Sequence, residues 1–333
     1  MSTNEPFSTK QLLRKYKQGE RNFQGVQILQ ANFKNIPLNQ VNLSKSQLLQ
    51  ANFKQGQLIG SNLTGADLQQ ANLVKATLIE TVLSEANLSQ AILIKTDLTG
   101  AILSSTILRG ADLSQACLIG SSLIYAQLFK AKLKSANLTG ATLTSAMLSK
   151  ANLSSANLTR AILTEANLYQ ANLQKTVLIR AYLHRVNLKG ANLQGANLSF
   201  ADLRWADLRE ANLKGANLEG ANLAETDLSK ANLSKANLEG ANLSKACLQS
   251  TKLTYTNLIG CNLLNANLDG ANLQGANLSQ AGLLLTTMTG ANLKRANLDR
   301  ANLIGATLTE TNFLAASLEE TILPNGSRGG LAP

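Results

Sequence analysis

Few residues in this chain carry reactive side chains, and their spacing does not suit catalysis. There is one histidine, His184, and one tryptophan, Trp205, set among Arg180, Tyr182, Arg185, Phe200, Arg204 and Arg209. No triad arrangement surrounds His184 in the sequence, no spacing suits metal ligands, and no Walker-type glycine loop is present. The three cysteines, Cys117, Cys247 and Cys261, form no C-x-x-C pair, and their odd number gives no disulfide framework. They fit a reducing compartment. The expectation is a non-enzymatic chain with no catalytic residue, no metal and no cofactor. Aromatics among arginines suit a different task. Trp, Tyr and Arg dominate protein-binding hot spots, and aromatic stacking beside cations holds single-stranded nucleic acid. A self-satisfied surface ladder is the bland reading of the same residues.

What positions these side chains is a column of aliphatic residues. From Phe23 to Leu323 every fifth residue is Leu, Phe, Ile or Met, without a slip in phase. In a helix, five residues turn a net of about 140°, so the leucines would wind around every side and leave no polar face. In a straight strand an odd period would send successive leucines to opposite faces. Each unit nevertheless has the same local order, as in Ala191-Asn192-Leu193-Gln194-Gly195. One bend per unit, between a leucine and the next alanine, resolves the conflict. The bend residues are Gly, Ser, Lys, Gln, Thr and Glu, suited to exposed turns. The chain is therefore expected to be a coil of short extended segments, Leu and Ala inside and Asn or Asp outside. Neighbouring coils would be bonded backbone to backbone about 4.8 Å apart. One buried leucine contributes roughly 1.5–3 kcal/mol. Ordering five residues costs roughly 5–10 kcal/mol of backbone entropy. Hydrogen bonds between coils, and ladders of stacked Asn side chains, must supply much of the difference.

The ends differ from the repeat. Residues 1–7 read as a disordered tail, and Ser8 or Thr9 would cap a short helix ending at Gln18 and Gly19. That helix would cover the open end of the stacked array. The tail 326–333 is Gly-rich and is expected to be disordered. The N-terminus lacks the apolar core of a signal peptide, and no apolar stretch of about 18 residues suggests a membrane span. A cytoplasmic location follows as the default. The formal charge is +11, of which +3 falls in residues 1–21 and the remainder reads as spread over the repeat.

The A-N/D-L-x-x units over residues 21–325 resemble the pentapeptide-repeat family, and the segment Leu12 to Phe23 resembles the start of cyanobacterial members. The resemblance implies an all-β fold, a right-handed quadrilateral β-helix (solenoid) of four units and twenty residues per coil. It would follow the N-terminal capping helix and comprise about fifteen coils. Phe33, Phe53 and Phe313 differ by multiples of twenty and agree with that coil length. Position k then lies beside k+20. Arg185 would meet Trp205, His184 would stack with Arg204, Tyr182 with Asp202, and Arg180 with Phe200. These residues and Arg209 form the candidate partner-binding cluster. Val82, Ile102, Ser122, Thr142, Ile162 and Tyr182 make a less polar strip on one face. Leu264, Leu284 and Ile304 make an outward apolar column which, with Phe313 and Leu314 near the last coil, would support a homodimer through the C-terminal coils. The favoured function is a binding or scaffolding module for a protein partner, and the alternative is nucleic-acid association through the basic surface. The resemblance also brings gyrase inhibition by dimeric members that imitate DNA. That role needs an acidic surface, and the +11 charge opposes it.

Overall fold

The computed structural model describes residues 7–329. The expected N-terminal tail, apart from Phe7, and residues 330–333 lie outside the described part. The chain divides into two compact units, Met1–Ile162 and Leu163–Pro333. Within each, the pentads form a right-handed, four-sided β-helix whose outward residues pair in parallel with those twenty positions on, as in Asn32↔Asn52 and Asn222↔Asn242.

One pentad shows how the backbone is satisfied. Asn242 N–H donates to the Ala221 carbonyl (3.0 Å), Leu243 N–H to that of Asn262 (2.7 Å) and Lys245 N–H to that of Leu264 (2.8 Å). Ala246 N–H closes the turn onto the Leu243 carbonyl (3.0 Å). The remaining donor, Ser244 N–H, goes to Asn242 Oδ1 (3.1 Å). All five amide donors therefore have partners, which a backbone packed this closely requires. This is the physical reason for Asn or Asp before each leucine. Either side chain accepts from the first corner residue, but only Asn can also donate along the stack. Asn242 Nδ2 does so to Asn222 Oδ1 (3.2 Å), and Asn262 Nδ2 donates in turn to Asn242 Oδ1 (3.2 Å).

Each corner is a turn whose second residue has positive φ; Lys245 has φ +57°. Left-handed backbone costs a non-glycine residue about 1–2 kcal/mol, and for a β-branched residue it is an outlier. The sequence obeys this. At these second positions, residues 25 to 320 in steps of five, there is no Val, Ile or Thr. The β-branched corner residues, such as Ile59, Val74 and Ile94, occupy the first position.

The interior is two columns per face. Leu and Ala are almost wholly buried, and the rings of Phe33 and Phe53 stack with centroids 5.0 Å apart, one coil step. At several sites where Thr or Ser replaces the inward Ala, its hydroxyl donates to a leucine carbonyl of the neighbouring coil, whereas Ser121 and Thr286 donate to Leu118 and Leu283 of their own coil. Thr81 Oγ1 reaches the Leu58 carbonyl (2.7 Å) and Thr226 Oγ1 that of Leu203 (2.9 Å). We number the faces of each unit by their inward residues: faces 1 to 4 carry Leu43, Leu48, Phe53 and Leu58 in the N-terminal unit, and Leu203, Leu208, Leu213 and Leu218 in the C-terminal unit. Corners take the numbers of the faces they join.

Helix α1 (Thr9–Lys17) begins with a capping box, Ser8 Oγ accepting from Gln11 N–H while the Gln11 side chain accepts from Ser8 N–H. Leu12 is fully buried, and Tyr16 Oη donates to the Asn39 carbonyl (3.0 Å), which ties α1 to the first coils. At the other end, part of the tail expected to be disordered from Gly326 is paired instead. Ile322 and Arg328 form an antiparallel bridge, and Gly329 N–H donates to the Thr321 carbonyl (2.8 Å). The Pro324-Asn325-Gly326 turn folds the strand back onto the last coil and satisfies part of its free edge, a cover not anticipated for that end.

Candidate interaction face

The two adjacent coils at residues 180–185 and 200–205 place most of the chemically distinctive side chains on face 1 of the C-terminal unit. Tyr182 and Asp202 are the outward residues and bridge in parallel. Arg180 and Phe200 stand at corner 4–1; His184, Arg185, Arg204 and Trp205 stand at corner 1–2. Phe200 and Trp205 therefore flank one strand, with Tyr182 between them one coil back. Tyr182 and Phe200 are each 54% exposed and Trp205 is 43% exposed.

Polar contacts fix this surface. Arg204 forks onto Asp202, Nε to Oδ1 at 2.8 Å and Nη2 to Oδ2 at 2.6 Å. The Arg204 hydrogen bonds hold the Asp202 carboxyl below the usual range although partial burial opposes them. The Arg204 guanidinium also lies 5.5 Å from the Trp205 ring, and His184 meets that ring edge-on at 4.8 Å. Trp205 Nε1 donates to Glu225 Oε2 (3.0 Å), and Lys245 Nζ lies 3.8 Å from Glu225 Oε1. Arg180 sits 5.9 Å from the Phe200 ring. The cation over Trp205 is thus Arg204, not Arg185 as the column order suggested. The indole leans along the stack toward Glu225 and sideways over its own neighbour.

Seven of the eight cluster residues share this surface. Arg209 does not; it stands at corner 2–3, forked onto Asp207 (2.8 and 2.6 Å) with Asp227 at 3.8 Å. Partial burial pushes the Asp207 carboxyl up, but the Arg209 contacts outweigh it and the net direction is down. The Arg209 guanidinium is raised further by the same pairing. The five apolar C-terminal candidates are likewise not one site. Leu264, Leu284 and Ile304 line corner 1–2, Leu314 is exposed at corner 3–4, and Phe313 points inward on face 3. Among the described residues no group of three or more His, Cys, Asp or Glu could hold a metal ion, and no helix is long and apolar enough to cross a membrane.

Short strands in a four-sided coil, an inward leucine in every unit and an outward Asn that caps each corner define a class. The chain belongs to the pentapeptide-repeat family. The family model described as Pentapeptide repeats (8 copies) matches residues 61–100, 81–120, 126–164, 161–199, 201–240, 246–282 and 288–323. Among solved structures, the chain is similar to HetL, a pentapeptide repeat protein involved in heterocyst differentiation regulation from the cyanobacterium Nostoc sp. strain PCC 7120. Identity is 30% over 97% of this chain and 99% of that one, with a TM-score of 0.25. A pentapeptide repeat protein from the Arabidopsis thaliana thylakoid lumen is 38% identical over 28% of this chain and 66% of its own, TM-score 0.28. Rfr23 from the cyanobacterium Cyanothece 51142 is 33% identical over 38% of this chain and 90% of its own, TM-score 0.22. No curated protein matches the chain.

Proposed function

We propose that this chain is a non-enzymatic binding module that presents face 1 of its C-terminal unit, between Arg180 and Trp205, to a protein partner in the cytoplasm. The observation that carries this reading is the exposure of Tyr182, Phe200 and Trp205 on one rigid surface already fixed by the Asp202–Arg204 fork. Large aromatics beside arginines, immobilised before binding, lose little conformational freedom when they are covered. The backbone beneath them is hydrogen-bonded along the stack, so the partner would meet a preformed surface. Free thiols at all three cysteines accord with a reducing compartment.

The test is affinity capture from cell extract by the wild-type chain beside a Tyr182→Ser/Phe200→Ser/Trp205→Ser variant. Proteins retained by the first and lost by the second support the reading. Identical retained sets would remove this face as the site.

A further inference from the structure

The charge of +11 is unevenly placed. Residues 1–162 hold sixteen Lys and Arg against seven Asp and Glu, or +9, and residues 163–333 hold +2. In the N-terminal unit much of the excess is lined up on corner 3–4. Lys34, Lys54, Lys75, Lys95 and Lys134 stand there, and no Asp or Glu occupies either position of that corner from residue 34 to 155. The corner supplies two residues in twenty yet holds five of the eleven cations between residues 22 and 162. Lys34, Lys75, Lys95 and Lys134 are exposed, and Lys54 is half-buried. The flanking faces bring two carboxylates near the row, and both are occupied. Asp97 accepts from Thr99, and Asp112 accepts from Ser114 N–H and lies 3.8 Å from Lys132.

Like charges stacked one coil apart repel each other, and some columns set opposite charges together instead. Arg300 stacks with Glu320 at 2.8 Å, and Glu225 with Lys245 at 3.8 Å. On corner 3–4 lysine follows lysine through four successive coils. Among the described residues no ion pair neutralises these five lysines, so the natural complement of the row is a linear anion.

We propose that corner 3–4 of the N-terminal unit is a track for the phosphodiester backbone of single-stranded nucleic acid, bound without regard to base sequence. The row offers at most one cation per coil, at one or other of the two corner positions. From Lys34 to Lys134 it runs five coil steps, about 24 Å at strand spacing. Its five lysines can each meet one phosphate of a single strand. Lysines are point charges without the planar fork that reads bases, so they position a backbone and specify nothing. The exposed aromatics Tyr125 and Phe129 belong to corners 1–2 and 2–3, so the row has no stacking platform and the bases would face solvent. A flexible strand can follow a straight row, whereas a duplex backbone winds away from it. A bilayer would engage a flat face, and here the faces beside the row carry neutral amides such as Asn52, Gln57 and Asn72. This track is independent of the protein-binding reading of face 1.

The test uses the full chain and a fluorescein-labelled oligo(dT), followed by anisotropy as NaCl is raised. Five phosphate contacts predict a slope of log K on log salt near −3.5, or about 100-fold weaker binding at about 200 mM than at about 50 mM. Lys34→Gln/Lys54→Gln/Lys75→Gln/Lys95→Gln should bring the slope to about −0.7. Glutamine is already at home on this corner, at Gln55 and Gln115 with φ +58° and +60°. A control, Lys45→Gln/Arg109→Gln/Lys130→Gln/Lys150→Gln, removes equal charge from other corners and should keep the steep slope. Equal weakening by both quadruple variants would overturn the proposal, because bulk charge would then explain the binding. So would lysine-dependent binding to phosphatidylserine vesicles without binding to oligo(dT). Both variants should keep the wild-type far-ultraviolet circular dichroism.

Discussion

The ring of Phe200 fills the space left by the missing side chain of Gly220, one coil further on. A Cβ on Gly220 would fall 2.6 Å from Phe200 Cε1. Tyr255 uses Gly275 and Leu285 uses Gly305 in the same way. At these three corners a large side chain at the second position leans along the stack, and a glycine twenty residues later receives it. Gly220→Ala should therefore cost more than Gly215→Ala, which meets nothing within 4 Å at a similar φ of +66°. The left-handed backbone alone costs about 1–2 kcal/mol at either site. The extra cost at Gly220 should disappear in a Phe200→Ser background, a coupling of about 0.5–1 kcal/mol readable from thermal melts of the four chains. Equal costs at both glycines would mean that Phe200 does not rest there.

The Asn before each leucine is expected to protect the first corner amide. Asn242→Ala should speed hydrogen exchange at Ser244 N–H, because its acceptor is lost. It should also lower stability by about 0.5–1.5 kcal/mol, the net contribution of a typical hydrogen bond. Asn242→Asp should keep the amide protected, since the carboxylate still accepts. An unchanged Ser244 exchange rate in the alanine variant would contradict the corner-capping role.

Cys261 is the only cysteine at an inward position, and its burial pushes the thiol up to about 12. It should remain a neutral thiol at pH 9 and resist iodoacetamide until the chain unfolds. Cys117 and Cys247, at outward positions, should alkylate in the folded protein. Modification of Cys261 at a rate matching the other two would place its column outside the core.

Asp202 and Asp207 are both held below the ordinary carboxylate range by their forked arginines. A depressed pKa in the folded chain means a stabilising contribution present above the unfolded value, near 3.9, and lost as pH falls through the folded one. The double variant Asp202→Asn/Asp207→Asn should thus lose stability at pH 7 and show a flatter decline below about pH 4 than the wild type. Melting temperatures across that range provide the check. Parallel acid declines in the two chains would show that the forks are not coupled to folding.

The period of five was enough to read the leucine and alanine columns, the inter-coil bonding and the Asn ladders, because each follows from where an odd repeat must bend. The helix cap at Ser8 was legible for a similarly local reason. Besides the cover at the C-terminal end, three features were not anticipated. The absence of β-branched residues at every second corner position is a plain sequence signal of left-handed backbone, visible once the corner is divided into two unlike halves. The partner of Trp205 could not be read from its column, because stacking order fixes neighbours but not the direction of a rotamer. The lysine row was hidden because its members alternate between the two corner positions, Lys34 and Lys54 in one column and Lys75 and Lys95 in the next. Only the twenty-residue coil brings them onto one line.

Trp205 is the sole tryptophan, so its fluorescence reports on face 1 directly. The decisive measurement is its emission spectrum during titration with a protein retained by the wild-type chain and lost by the triple face variant. Trp205 emission should shift to the blue and saturate with binding, as an indole 43% exposed in the free chain becomes covered. Saturated binding with an unchanged Trp205 emission would place the partner elsewhere and rule out face 1 as its docking surface.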